Sequence, residues 1–217
     1  YNTNGASGVL EVSDFFIVIA SGAATLTGGA TSGTPTSISI SGNVYTLGIG
    51  LSGTPNGSEV VTVAPIGSAI FDAAGNAAST SQSNNSVTLY DQTIPIVSTV
   101  TSTTANGSYK VDDAIVITIT FTEAVTVTGT PQLTLETGSS DAVINYVSGT
   151  GTTTLTFNYT VASGQNSTDL DYAGADALSL PNSVTIKDSE NRNAYLTLPS
   201  PGDANSLAAN KAIIIDT

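Results

Sequence analysis

At 217 residues the chain is long enough for one large or two ordinary domains, and its 40% apolar content can fill their cores. Seventeen acidic residues face four basic ones, Lys110, Lys187, Arg192 and Lys211, and the first 91 residues carry neither Lys nor Arg; a net charge of −13 repels nucleic acid and anionic lipid and attracts cations. Cys, His, Met and Trp are all absent, which excludes disulfides, thiolate chemistry and imidazole ligands, so any metal must be held by oxygen.

No apolar run approaches the roughly 18 residues that span a bilayer, and neither a signal peptide nor an initiator Met stands at Tyr1. The expectation is a soluble chain without membrane insertion, cut from something longer. In chain order, "LEVSDFF" (10–16) opens the first apolar stretch, with Glu11 and Asp14 placed as edge charges that deter sheet-to-sheet pairing. "SISISGNVYTLGI" (37–49) and "EVVTVAP" (59–65) alternate apolar with Ser and Thr at the strand period, and Ser41-Gly42-Asn43 is a turn between two strands. "FDAAGN" (71–76) is an acidic turn, and "SVTLYDQTIP" (86–95) is a strand that exits through Asp91 into a linker stiffened by Pro95.

The same grammar then repeats. "KVDDAI" (110–115) is a charged turn at Asp112 and Asp113, followed by strands in "AIVITITFTEAV" (114–125), "AVINYV" (142–147) and "TTTLTFNYTV" (152–161). "KDSEN" (187–191) is a second acidic turn, and "KAIIIDT" (211–217) a second terminal strand that exits through Asp216. The stretches "ADALSL" and "ANSLAANKA" are too short for more than a single helical turn. Many short strands separated by turn formers predict antiparallel sandwiches.

Laid on one another, "GNVYTLGIGLSG" (42–53) matches "TTTLTFNYTVASG" (152–164), "FDAAGN" matches "KDSEN", and "SVTLYDQT" matches "KAIIIDT", so each half reads as one copy of a repeated module. Through "TFTEAV", "VSDF", "DAAGN" and the Asp-x-Thr-x-Pro linker the chain resembles the tandem bacterial immunoglobulin-like domains of large secreted surface proteins and adhesins. The resemblance implies an all-β chain of two tandem immunoglobulin-like antiparallel β-sandwiches, 1–91 and 92–217. The stretch 91–125 of the second copy has no counterpart ahead of "YNTNG" (1–5), so the first sandwich is expected to lack its N-terminal strands in this chain.

The resemblance further implies an extended stalk or filament outside the cell, at the bacterial cell surface, with calcium at domain junctions and neighbouring copies of the same repeat as partners, in the same chain or in an assembly. In such a sandwich the loop holding Glu123, the turn holding Asp188 and Asn191, and the linker at Asp91 gather at one pole, where three carboxylates, an amide and backbone carbonyls supply the six to eight hard oxygens calcium takes. The alternative is that these are solvated turn residues, since Asp and Asn favour such turns through local hydrogen bonds. Asp169 and Asp171 in "STDLDY" have the spacing of a carboxylate pair on one face of an extended segment, yet no His, Trp or Arg clamp accompanies them, so an enzyme ranks third. A glycan- or ligand-binding module ranks second, because the Tyr and Phe residues mostly alternate into core faces instead of gathering in a pocket.

Overall fold

Alternation of β-branched and Leu side chains with Ser and Thr gives the chain strands and almost no helix. The computed structural model describes residues 8–72 and 74–217; the 1–5 stretch discussed above lies outside them. Its ladders are almost all antiparallel, and the chain divides into two compact units, one ending at Thr93 and one running from Ile94 to Thr217.

The first unit holds β1 (Phe15–Ala20), β2 (Thr25–Leu26), β3 (Ser32–Gly33), β4 (Ser37–Ser41), β5 (Val44–Gly48), β6 (Leu51–Ser52), β7 (Val60–Pro65) and β8 (Ser86–Thr88). One sheet runs β3-β1-β7-β8, with Phe15↔Pro65 and Ala20↔Val60 closing the ends of its central ladder. β2 pairs with β6, and β4 with β5 as a hairpin from Ser37↔Gly48 to Ser41↔Val44. That hairpin turns on Gly42 (φ +60) and Asn43, the glycine-first turn whose twist suits flanking strands. Among the described residues its packed cluster consists of Ile17, Ile19, Leu26 and Val61, with Ile49, Leu51, Val63 and Leu89 half-buried against them.

In the second unit the strands are β9 (Val97–Ser102), β10 (Gly107–Tyr109), β11 (Ala114–Thr128), β12 (Gln132–Glu136), β13 (Ala142–Ser148), β14 (Thr152–Thr160), β15 (Asp171–Tyr172), β16 (Leu178–Ser179), β17 (Thr185–Lys187) and β18 (Ile213–Ile215). The ladder order is β15-β12-β13-β14-β11-β17; β9 adds to β11, β16 to β12, and β10 runs parallel to β18. β11 pairs with three strands. Residues 114–120 pair with β14 and 117–121 with β9, the register breaks after Thr120, and Thr126–Thr128 pair with β17. Such a break bends a strand and lets it pass from one layer to the next.

The second core is a continuous sandwich-like packing. Ile115, Ile117 and Ile119 of β11 and Leu155, Phe157 and Tyr159 of β14 are at most 1% exposed and pack with Leu133, Leu135, Leu170, Tyr172, Ile213 and Ile215. Burying each such side chain stabilises the fold by about 1.5–3 kcal/mol. The one α-helix among the described residues is the single turn α1 (Leu207–Asn210), whose Ser206 hydroxyl accepts the Ala209 N–H at 3.2 Å.

Two sequence expectations change at this level. Asp14 is no edge charge: it is fully buried behind a single 3-10 turn, Val12–Asp14, with Oδ2 accepting the Glu11 N–H at 2.8 Å, while Glu11 itself is exposed. Nor do Asp169 and Asp171 share a face. Leu170, Asp171 and Tyr172 are buried in succession where the segment runs between β12 and β18, and Asp169 stays in solvent.

Candidate functional site

The paired acidic turns are built alike. In the first unit Asp72 Oδ1 accepts the N–H groups of Ala74 (2.9 Å) and Asn76 (2.8 Å), Oδ2 accepts the Asn76 amide at 2.9 Å, and the Asp72 N–H donates to Asn76 O. In the second, Asp188 Oδ1 accepts the Arg192 N–H at 2.8 Å and the Asp188 N–H donates to Arg192 O. Each turn is closed by matching bridges, Phe71↔Ala77 and Lys187↔Asn193, and then by Ala78 N–H to Ile70 O and Ala194 N–H to Ile186 O. The left-handed position falls on Gly75 (φ +87) in one and Asn191 (φ +67) in the other. Asn191 thus corresponds to Gly75 and Arg192 to Asn76. Asn is, after Gly, the residue that best tolerates this conformation.

The two turns differ in what completes the aspartate. Asn76 closes the exposed Asp72 with its side-chain amide, and these hydrogen bonds, the Asn76 amide first, hold the Asp72 carboxyl below the ordinary Asp range. Asp188 is 4% exposed, and its Oδ2 meets the Arg192 guanidinium Nε at 2.7 Å, with Glu190 at 3.4 Å from the same guanidinium. Arg192 thus places a tethered cation on Asp188. The Asn191 Oδ1, the neutral oxygen expected in a calcium site, accepts from Lys187 Nζ at 3.0 Å. An open, polar groove of about 510 Å³ lies alongside, lined by Thr126, Thr128, Thr185, Lys187, Asp188 and Asn191.

Glu123 is half-buried in the register break of β11, between Thr120 and the first pair with β17, Thr126↔Lys187. The break is tied down by Thr122, whose N–H donates to Ile96 O and whose hydroxyl accepts the Ile96 N–H at 3.1 Å. Because Asp188 directly follows Lys187, Glu123 and Asp188 stand toward the same end of the β11–β17 ladder. Asp91 belongs to the first unit, where its Oδ1 accepts both the N–H (2.8 Å) and the hydroxyl (2.7 Å) of Thr93 and so turns the chain out of that unit. Among the described residues no three of His, Cys, Asp and Glu form a group that could share a metal ion.

One carboxylate with clear structural work, Glu59, was not singled out from the sequence, and another, Asp171, was singled out there only as half of a pair with Asp169. Glu59 is fully buried; Oε1 accepts the N–H groups of Ala23 (2.7 Å) and Ala24 (2.9 Å), and Oε2 that of Asn56 (3.0 Å). Burial alone raises its pKa, but the backbone donors together outweigh burial and hold the carboxyl below the ordinary Glu range. Gly22 is required beside it, since a Cβ there would lie 2.2 Å from the Glu59 carboxyl carbon. The signal was present: Glu59 is the one charged residue between Asp14 and Asp72. Asp171 ties two loops, accepting the Tyr172 N–H at 3.0 Å and the Gly202 N–H at 2.9 Å, and Tyr172 donates its hydroxyl to Pro199 O. Burial first, then the charges of Asp171 and Asp203, push the Tyr172 phenol far above its ordinary pKa. These groups are each satisfied by backbone partners, an arrangement that holds loops in place.

No family model, curated protein or solved structure matches this chain.

Proposed function

We propose that the protein is a structural or adhesive repeat unit of an extracellular bacterial surface protein, stalk or filament, built from two tandem immunoglobulin-like β-sandwiches whose neighbours are further copies of the same repeat. The observation that carries this reading is the acidic turn made twice, once per unit, with the same two hydrogen bonds between the Asp and the residue four on, matching closing bridges and the same left-handed position. A duplicated module whose buried carboxylates anchor loops, together with a net charge of −13, suits a tension-resisting spacer that does no chemistry.

Calcium belongs to the proposal as the ion that stiffens such a repeat. Within the second unit it would act on Glu123, Asp188 and Asn191, with Asp91 the acidic residue that leads into that unit, and it would compete with the Arg192 guanidinium for Asp188. The test is single-molecule stretching of the full chain. Two discrete unfolding steps of module size, the larger force rising in millimolar calcium, are expected. A single step, or glycan retention on an array with no mechanical resistance, would replace the reading with that of a binding module.

A further inference from the structure

β5 and β14 correspond in sequence and in hairpin position: each is the second strand of a hairpin, β4–β5 or β13–β14, and the alternation Tyr45, Leu47, Ile49, Leu51 lies on Leu155, Phe157, Tyr159, Val161. Their surroundings differ. Leu155, Phe157, Tyr159 and Val161 are at most 1% exposed, because β11 pairs with the outer edge of β14 from Ala114↔Thr160 to Thr120↔Thr154. In the first unit Tyr45 is 37% exposed, Val44 65% and Ile40 45%.

Backbone parity identifies which edge of β5 is bare. The carbonyls of Gly48 and Gly50 accept the N–H groups of Thr36 and Thr27, and carbonyls two residues apart point the same way, so β4 and the β2 segment lie on one side. The peptide groups of Tyr45, Leu47 and Ile49 therefore face the other side, with which no strand pairs among the described residues. Proteins that must keep such an edge empty guard it with charges, bulges or proline. Residues 15–58 contain no charged side chain at all, so this edge is unguarded.

We propose that the outer edge of β5 is a strand-acceptor edge, and that its occupant is a strand segment from a further repeat of this type, with the chemistry of Ile115–Phe121, laid antiparallel to β5. The second unit supplies the template. Its register transfers to pairs of Tyr45 with the counterpart of Ile119, Thr46 with that of Thr118, and Leu47 with that of Ile117. The donor stretch 114–122 is uncharged like its acceptor, so docking carries no repulsion despite the acidic chain, and its Ile residues would cover the apolar side chains that β5 leaves in solvent. A second copy's β5 pairing edge to edge is the competing occupant. It would add neither the Ile row nor the layer that β11 contributes beside β14.

The inference rests on the repeat reading above, and the test separates the two. A second copy of residues 94–125 is joined ahead of Tyr1 of the full chain, and amide exchange is followed at residues 44–48, with 152–160 as the internal standard. Slowing of 44–48 by about tenfold or more, with the chain monomeric, is the expected result. Because the protein has no Cys, register can be read directly: T46C should form a disulfide with a Cys at the Thr118 position of the grafted copy and not with one at its Ile117 position. Unchanged exchange at 44–48 in a graft that still unfolds in module-sized steps overturns this inference alone. So does an ungrafted chain that dimerises and is made monomeric by Y45K, which would assign the edge to a second copy.

Discussion

At the scale of single residues the informative groups are the buried carboxylates, each held by named donors. Removing Glu59 as Glu59→Ala leaves the N–H groups of Ala23, Ala24 and Asn56 without their acceptor, and the first unit should lose on the order of 1–3 kcal/mol, read as a lower urea midpoint at unchanged slope. The pH dependence has a definite sign. A carboxyl held below its unfolded pKa stabilises the fold fully above that unfolded value, near 4.5, and the contribution vanishes as pH falls through the lower folded value. Acid should therefore weaken the first unit, and Glu59→Gln should flatten that response. Tyr172 behaves in the opposite sense. Its phenol is raised, so the stabilisation is complete below about 10 and is lost as pH climbs past it; Tyr172→Phe should blunt alkaline unfolding of the second unit while costing about 0.5–1.5 kcal/mol at neutral pH for the hydrogen bond to Pro199.

At the scale of elements, the repeated turn explains why an Asp comes before a Gly or Asn three residues later. The carboxylate receives the N–H four residues on, and the chain reverses through a left-handed residue that a β-branched side chain resists by about 1–2 kcal/mol. Gly75→Asn and Asn191→Gly should both be tolerated, whereas Gly75→Val and Asn191→Val should each lower the melting temperature of their own unit. The second turn also gives the calcium proposal a direct chemical handle. A ligand that binds the folded state stabilises it by about 2.7 kcal/mol at a hundredfold excess over Kd, and extracellular sites commonly have Kd of about 10⁻⁴ to 10⁻³ M. Millimolar calcium should raise the melting temperature of the full chain, Arg192→Ala should enlarge that rise by removing the competing cation from Asp188, and Asp188→Asn should erase it. A melting curve indifferent to calcium in all three proteins would leave the acidic turns as hydrogen-bonded turns only.

At the scale of the whole molecule the two units are unequal. The second buries Ile, Leu, Phe and Tyr from most of its strands, while the packed cluster of the first, among the described residues, rests on Ile17, Ile19, Leu26 and Val61. At about 1.5–3 kcal/mol for each fully buried large side chain, this difference should separate their unfolding. Two thermal transitions are expected by calorimetry. The lower one should be shifted by Glu59 and Gly75 substitutions and the upper by Tyr172 and Asn191 substitutions, and a single transition moved equally by both sets would show that the units fold as one.

Strand period, turn chemistry and repetition are local properties, and the sequence by itself determined them: the hairpin at Gly42, the long strand from Ala114, the single turn at 207–210 and the two acidic turns can all be located from residue order alone. What local pattern could not decide is which partner a side chain meets across tens of residues. Glu59 finds the amides of Ala23 and Ala24 because β1 and β7 bring the loops at their ends together, and Asp171 finds Gly202 through a loop thirty-one residues away. Asp14 turns inward because the chain makes a 3-10 turn just before β1. The same limit applies to the apolar alternation of β5 and β14: identical in period, it marks a half-exposed strand in one unit and a fully buried one in the other, since burial depends on whether another strand lies alongside, and only the assembled ladders show that.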